Sequence, residues 1–270
     1  ALGAEIEGDS VVINLGPDAF FFSDGSLASG PVDVSLIEYD SLGDMGRGGG
    51  GTLTTDGEWL ATSGSFALEA SQEGQPLVID GIADMAFDAW DGTTSGMELW
   101  AAGKPGDAWL RPQLEAQKAA FVRGADGSTD NTFLFSGVWA GGVAGYSAYN
   151  CDAITSLSAV HVTLEVEFLS HFSTEAAVFF IPDGASSAVQ LYTGDSSLPG
   201  YRSYTNGMPV GFTGKMVIYS LIDGERFLFH DDAYTIPAGV DAGAGTMLET
   251  LSVDLLPTSE ADFNAYLNGL

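Results

Sequence analysis

The stretch that most restricts what this chain can fold into is Val160 to Phe168, Val-His-Val-Thr-Leu-Glu-Val-Glu-Phe, which alternates apolar and polar residues without a break. Successive side chains on a strand point to opposite faces. Val160, Val162, Leu164, Val166 and Phe168 are therefore expected to face a core, and His161, Thr163, Glu165 and Glu167 to face water. Nine residues held in phase predict a half-buried antiparallel strand. A polar break from Ser170 to Glu175 leads into Ala176 to Ile181, an apolar run expected to form its neighbour. This pair is expected at the centre of a C-terminal β-sandwich.

The rest of the chain punctuates in the same way. Val11 to Leu15 reads as a first strand, and Gly16-Pro17-Asp18 turns it towards Ala19 to Phe22. Val32, Val34 and Leu36 alternate with polar neighbours, as do Phe66, Leu68 and Ala70. Leu77 to Ile79, Met85 to Phe87, Met97 to Trp100 and Phe133 to Phe135 are shorter strand candidates. Pro112 to Arg123 has helix-forming composition and reads either as a helix or as a connection beside a strand. Gly46-Arg47-Gly48-Gly49-Gly50-Gly51 reads as a loop. It lacks the Gly-Lys-Ser/Thr of a phosphate cradle. A run of four glycines is costly to order, so something is expected to pack on it.

In Lys215 to His230, Asp223-Gly224 separates two apolar runs, the preferred sequence of a tight type I′ hairpin. Leu251, Val253 and Leu255 make a last strand, and Pro257 to Glu260 opens a short helix capped by Thr258 or Ser259. Gly137 to Gly145, rich in small residues, is the expected boundary. The fold class is all-β: two tandem antiparallel β-sandwich domains, over 1–140 and 145–270, with a short C-terminal helix.

Charge narrows the partners. The 37 acidic against 8 basic residues give a formal charge of −29, which repels nucleic acid and anionic lipid. With 45% apolar residues the chain still buries a full core, so the acidity does not signal disorder. It suits saline surroundings or the collection of divalent cations. A single cysteine, Cys151, rules out an internal disulfide, and no apolar run reaches the ~20 residues of a membrane span. The chain begins at Ala1 rather than Met, as expected either of a mature product whose leader was removed or of a segment expressed on its own. An extracellular or cell-surface location in a bacterium is expected.

Two places carry a resemblance. The first runs through Gly16-Pro17-Asp18-Ala19-Phe20, Asp24-Gly25, Gly30-Pro31-Val32, Glu38-Tyr39, Asp44-Met45, Leu60, Ser63-Gly64-Ser65-Phe66 and Gly74-Gln75-Pro76-Leu77. It resembles a β-sandwich module of secreted or lipid-anchored bacterial surface proteins, similar to modules found beside ankyrin-type domains. There an "AF" start leads through "G-x-V-T-G-P-V" to "D-M" and a "G-G-M/F" strand; here Gly30-Pro31 lacks the preceding Thr. The second, Tyr149-Asn150-Cys151-Asp152, resembles the "W/Y-N-C-D" opening the next module of those proteins. The resemblance implies an extracellular β-sandwich tandem and supplies no catalytic residues.

Four constellations bear on chemistry. His171-Phe172-Ser173 matches the tripeptide at which some sandwich modules of the ankyrin and netrin-receptor type cut themselves. There His171 would activate Ser173 for an N-to-O acyl shift, whereas the plainer reading is a polar turn. Cys151 could act as a nucleophile with His161, His171 or His230, but a lone cysteine is more often a buried small hydrophobe. Asp126, Ser128 and Asp130 offer alternate oxygens for calcium, and Asp231-Asp232 is a second acidic pair. Without the EF-hand Gly and Glu, a solvated acidic turn explains the first as well. Trp90, Trp100, Trp109 and Trp139 would stack on sugars if exposed, or pack in a core if not.

No enzyme and no cofactor other than calcium is expected. The leading reading is a structural or adhesive surface protein that self-associates into a fibre or layer through edge strands. Binding of a surface glycan or other ligand, and self-cleavage at Phe172-Ser173, are the alternatives.

Overall fold

The computed structural model describes residues 3–48, 50–88, 97–103, 107, 109–110, 120–123, 131–136, 148–154, 160–169, 176–193 and 200–270. They form an all-β molecule with a short C-terminal helix, divided into two compact units. The first comprises Ala1–Ser41 and Ala61–Ile154, the second Leu42–Leu60 and Thr155–Leu270. Residues 42–60 thus interrupt the first unit and belong to the second.

The strands of the first unit, in chain order, are β1 (Ala4–Glu7), β2 (Val11–Leu15), β3 (Phe20–Phe21), β4 (Asp33–Tyr39), β5 (Leu60–Gln72), β6 (Gln75–Ile79), β7 (Ile82–Asp88), β8 (Glu98–Ala102), β9 (Ala120–Arg123), β10 (Asn131–Ser136) and β11 (Ala148–Ile154). One sheet has the order β1-β2-β7-β10-β9, and the other β3-β6-β5-β11-β8 with β4 also paired to β5. Val11, Ile13 and Leu15 alternate inward with Met85 from the first sheet. They meet Phe66, Leu68, Leu99, Tyr149 and Cys151 from the second in one core. Phe66 and Tyr149 stack with ring centroids 5.2 Å apart, an offset arrangement aromatic pairs favour. In β2 the period-two pattern does what the sequence leads one to expect, whereas β5 is buried on both faces from Thr62 to Leu68 and Val34 of β4, expected to face the core, is 37% exposed. Of the stretch read as helix or connection, Ala120–Arg123 is a strand and 112–119 lie outside the described residues.

The second unit contains α1 (Leu42–Gly48), then β12 (His161–Phe168), β13 (Ala176–Pro182), β14 (Val189–Thr193), β15 (Tyr201–Arg202), β16 (Met208–Pro209), β17 (Thr213–Ile222), β18 (Glu225–Thr235), β19 (Val240–Gly243), β20 (Thr246–Val253), β21 (Leu256–Thr258) and α2 (Glu260–Asn268). Its strands join in the order β19-β20-β12-β15-β14-β13-β17-β18-β21, with β16 on β12. Among the described residues β12 and β20 depart from the antiparallel rule and run parallel, from Thr163 opposite Leu248 to Phe168 opposite Val253.

The expected central pair is corrected. β13 is not beside β12 but between β14 and β17. β12 alternates, so it needs one buried face. β13 does not alternate: Val178 and Phe180 enter the main core, while Phe179 and Ile181 enter a second cluster with Leu267 of α2 and Leu42 of α1. A run apolar on both faces settles where both faces are covered. Within β12, Val162, Leu164 and Val166 are buried as expected. Val160 precedes the strand and is 71% exposed, and Thr163 is buried, its Oγ1 accepting the Asn206 N–H at 2.9 Å.

The β17–β18 hairpin turns at Asp223 (φ 51°) and Gly224 (φ 82°) between Ile222 and Glu225. Two consecutive positive φ values are the type I′ requirement. Ser259 caps α2, its side chain accepting the Asp262 N–H. The glycine-rich loop is partly helical: Gly46 and Gly48 belong to α1, where Met45 is buried and Gly46 accepts the Tyr219 hydroxyl. Beyond it the backbone lies against β14. A Cβ on Gly51 would stand 2.5 Å from Gln190 Cβ, and Thr52 N–H donates to Ala188 at 2.7 Å.

Candidate functional site: an open strand edge and a buried acid

His171 and Ser173, and the calcium candidates Asp126, Ser128 and Asp130, lie outside the described residues, as do Trp90 and Trp139. Trp100 and Trp109 are 3% exposed and offer no face to a sugar. Asp231 accepts the Ala233 N–H, and Asp232 accepts the Tyr266 hydroxyl at 2.7 Å with His230 Nδ1 at 3.3 Å. Tyr266 also stacks on His230 at 4.2 Å, so Asp232 and His230 fasten α2 to β18 while Asp231 serves the local turn. Among the described residues no three His, Cys, Asp or Glu groups converge as a metal site.

Cys151 is wholly buried in the core of the first unit. Burial pushes its thiol well above the usual range, and Asp152 adds to the effect. Thiolate is the reactive form, so this cysteine is inert as a nucleophile.

Its neighbours on β11 are less ordinary. Tyr149 and Cys151 face the core, so Asn150 and Asp152 face the other way, yet both are fully buried. Thr62 Oγ1 donates to Asn150 Oδ1 at 2.9 Å, and Asn150 Nδ2 lies 2.5 Å from Asp152 Oδ2. That second separation is short for N–H···O and ordinary for O–H···O. An amide turned end for end, with a neutral Asp152 donating to its oxygen, satisfies both contacts equally. Burial raises the Asp152 carboxyl well above its ordinary value, with the Thr62 hydroxyl opposing. The Trp100 indole N–H donates to the Asp152 carbonyl at 3.2 Å, and Asp152 Oδ1 and Ser63 Oγ have no hydrogen-bond partner among the described residues. A buried acid locked among strands can hold structure. It has no access to a substrate.

The surface feature with a clear capability is β4. All seven residues, Asp33 opposite Ser71 through Tyr39 opposite Ser65, pair with β5 without a register shift. Ala70 and Ser71 pair with β4 and also with Leu77 and Pro76 of β6. β4 and β6 therefore flank opposite edges of β5, and the outer edge of β4 has no strand partner among the described residues. Val34 is 37% and Ile37 44% exposed, while Leu36 packs on the core. A groove of about 570 Å³ runs beside this strand, lined by Val34, Leu68, Ala70, Pro76 and Leu77 with Asp33 and Glu69.

Glu38 anchors the far end of β4. It accepts the N–H groups of Asp9 and Ser10, each at 2.7 Å, and the Ser10 hydroxyl at 2.9 Å. Burial acts against its charge, but these donors prevail and hold the carboxyl below its ordinary value. Period-two reading finds β4 itself. That its edge is open is a matter of topology, which no local pattern carries.

No family model matches the chain, and no curated protein matches it either. The resemblance to bacterial surface modules rests on the residues quoted for it.

Proposed function

We propose that this chain is a non-catalytic, extracellular scaffold of a bacterial cell surface that associates with its own kind by pairing strand edges, building a fibre or layer. The observation that carries this reading is the solvent-exposed edge of β4, which has no strand partner among the described residues. An unpaired edge presents a row of N–H and C=O groups ready to accept a further strand. The charge of −29 opposes assembly in dilute salt and demands screening or bridging by cations such as calcium. A surface or saline setting provides both.

A second reading, a module that binds a glycan or other ligand, draws on the groove beside β4. Of the tryptophans that the sequence offers as its basis, the two described ones, Trp100 and Trp109, are buried and add nothing to it. Self-cleavage at Phe172-Ser173 has its own assay, intact mass spectrometry against the 28.1 kDa chain.

Electron microscopy of the purified protein in dilute and concentrated salt, with and without calcium, tests the main reading. Filaments, sheets or discrete oligomers are expected once charge is screened. Monodisperse single copies under every condition would remove it.

A further inference from the structure

We infer that β4 pairs with β4 of a second copy, antiparallel and centred on Leu36, so that two sheets become continuous across a two-fold axis. This rests on the assembly reading above and names its partner.

Four of the other described edges are guarded in ways that proteins commonly use against accidental pairing. β19 is four residues long with a register shift between Asp241 and Gly243. β21 has three residues and contains Pro257. β1 alternates Glu5 and Glu7 with apolar residues over four positions, and β3 is two residues long. β4 has seven residues, no proline, no lysine and no bulge. Of its two acids, Glu38 is already occupied by the turn at Asp9 and Ser10.

Geometry then selects the register. In a strand, residues whose backbone groups point to one edge recur every second position, and outward-pointing residues of one copy must meet outward-pointing residues of the other. A strand paired with itself therefore has a residue, never a peptide midpoint, on the symmetry axis. Placing Leu36 there uses all seven residues of β4: Asp33 meets Tyr39, Val34 meets Glu38, and Ser35 meets Ile37. The arrangement that sets Asp33 against Glu38 needs a midpoint axis and is forbidden. In this register no acid of β4 stands directly opposite another acid, although the whole chain is strongly acidic. Side chains at 33, 35, 37 and 39 share one face. The two exposed Ile37 residues approach diagonally across the junction and cover each other. Such an isologous contact closes at two copies, so anything larger grows from this dimer through a different surface.

Sedimentation velocity on the full chain gives the first test. Raising NaCl from about 0.01 M to about 1 M shortens the screening length from about 30 Å to about 3 Å. The 28.1 kDa species is expected to double in mass. Ile37→Lys, a substitution at an exposed site, is expected to remain monomeric at both salts with an unchanged circular dichroism spectrum. Oligomers that persist in Ile37→Lys would overturn the β4 junction and leave self-assembly standing. A wild-type chain that stays monomeric throughout would remove both.

The register has a test of its own. Facing residues on antiparallel strands lie within disulfide reach. A mixture of Ser35→Cys and Ile37→Cys chains is expected to cross-link under mild oxidation several-fold better than either alone. Cys151 is fully buried and gives no background. Efficient cross-linking of either variant with itself would move the axis off Leu36 and defeat the assignment.

Discussion

At the scale of single residues, the polar face of β11 makes the sharpest prediction. Asp152 is fully buried, and its carboxyl is pushed well above the ordinary 3.8. The folded chain therefore releases this proton at a higher pH than the unfolded chain does. Below about pH 3.8 both states are protonated and the group costs nothing. As pH rises, the unfolded state ionises and the folded state does not, so stability falls by up to about 1.4 kcal/mol per pH unit. Asp152→Asn removes the titration while keeping a donor for the Asn150 amide. Its melting temperature is expected to match the parent at the acid end, near the ordinary 3.8, and to exceed it increasingly as pH rises from there. Parallel melting curves across that range would show that Asp152 ionises within the fold. Alternation along Tyr149-Asn150-Cys151-Asp152 separates the two faces of this strand in the sequence. It does not reveal that the polar face is covered as completely as the apolar one, since the covering residues come from elsewhere in the chain.

At the scale of elements, the glycine run shows how far local reading reaches. Four glycines in succession foretell close packing, and Gly51 against Gln190 is that contact. The run does not foretell α1, because glycine is a poor helix former. The helix stands on the burial of Met45 and the packing of Leu42 with α2. The two glycines should therefore respond oppositely to alanine. Gly46→Ala adds a methyl into open space within a helix and is expected to stabilise by up to about 1 kcal/mol. Gly51→Ala forces its methyl to within 2.5 Å of Gln190 and is expected to cost more than Gly46→Ala gains. Urea denaturation of the pair decides it, and equal shifts of the same sign would contradict the packing account. Leu267, 1% exposed where α2 meets Phe179 and Val217, is expected to cost about 2–5 kcal/mol on truncation to alanine. The 223–224 hairpin, the terminal helix and the strands of the first core are written in short stretches of sequence. The parallel β12–β20 pair, the displacement of β13 and the open edge of β4 depend on strands far apart in the chain, so local periodicity is silent about them.

At the scale of the whole molecule, the excess of negative charge is a burden that no single contact balances. Eight basic residues can neutralise at most eight of 37 acids, which leaves 29 carboxylates without a cation. Three of the basic side chains are committed: Arg47 to Asp44 at 2.6 Å, Arg202 to Glu165 at 2.9 Å and Arg226 to Glu260 at 3.0 Å. Folding brings the remaining carboxylates closer than they stand in the extended chain, so self-repulsion weighs more on the folded state. Screening should relieve it. The melting temperature is expected to rise by several degrees between about 0.01 M and about 1 M NaCl, most steeply at the dilute end where the screening length changes most. Sodium chloride is the appropriate salt, because sulfate strengthens burial in any protein by exclusion from its surface. Dimerisation through β4 would raise the melting temperature of the parent by mass action as well. The measurement therefore belongs on the Ile37→Lys variant, where only the intramolecular effect remains. A melting temperature indifferent to salt in that variant would mean that the acids are spaced widely enough to ignore one another. The electrostatic barrier assigned to assembly would then have no basis.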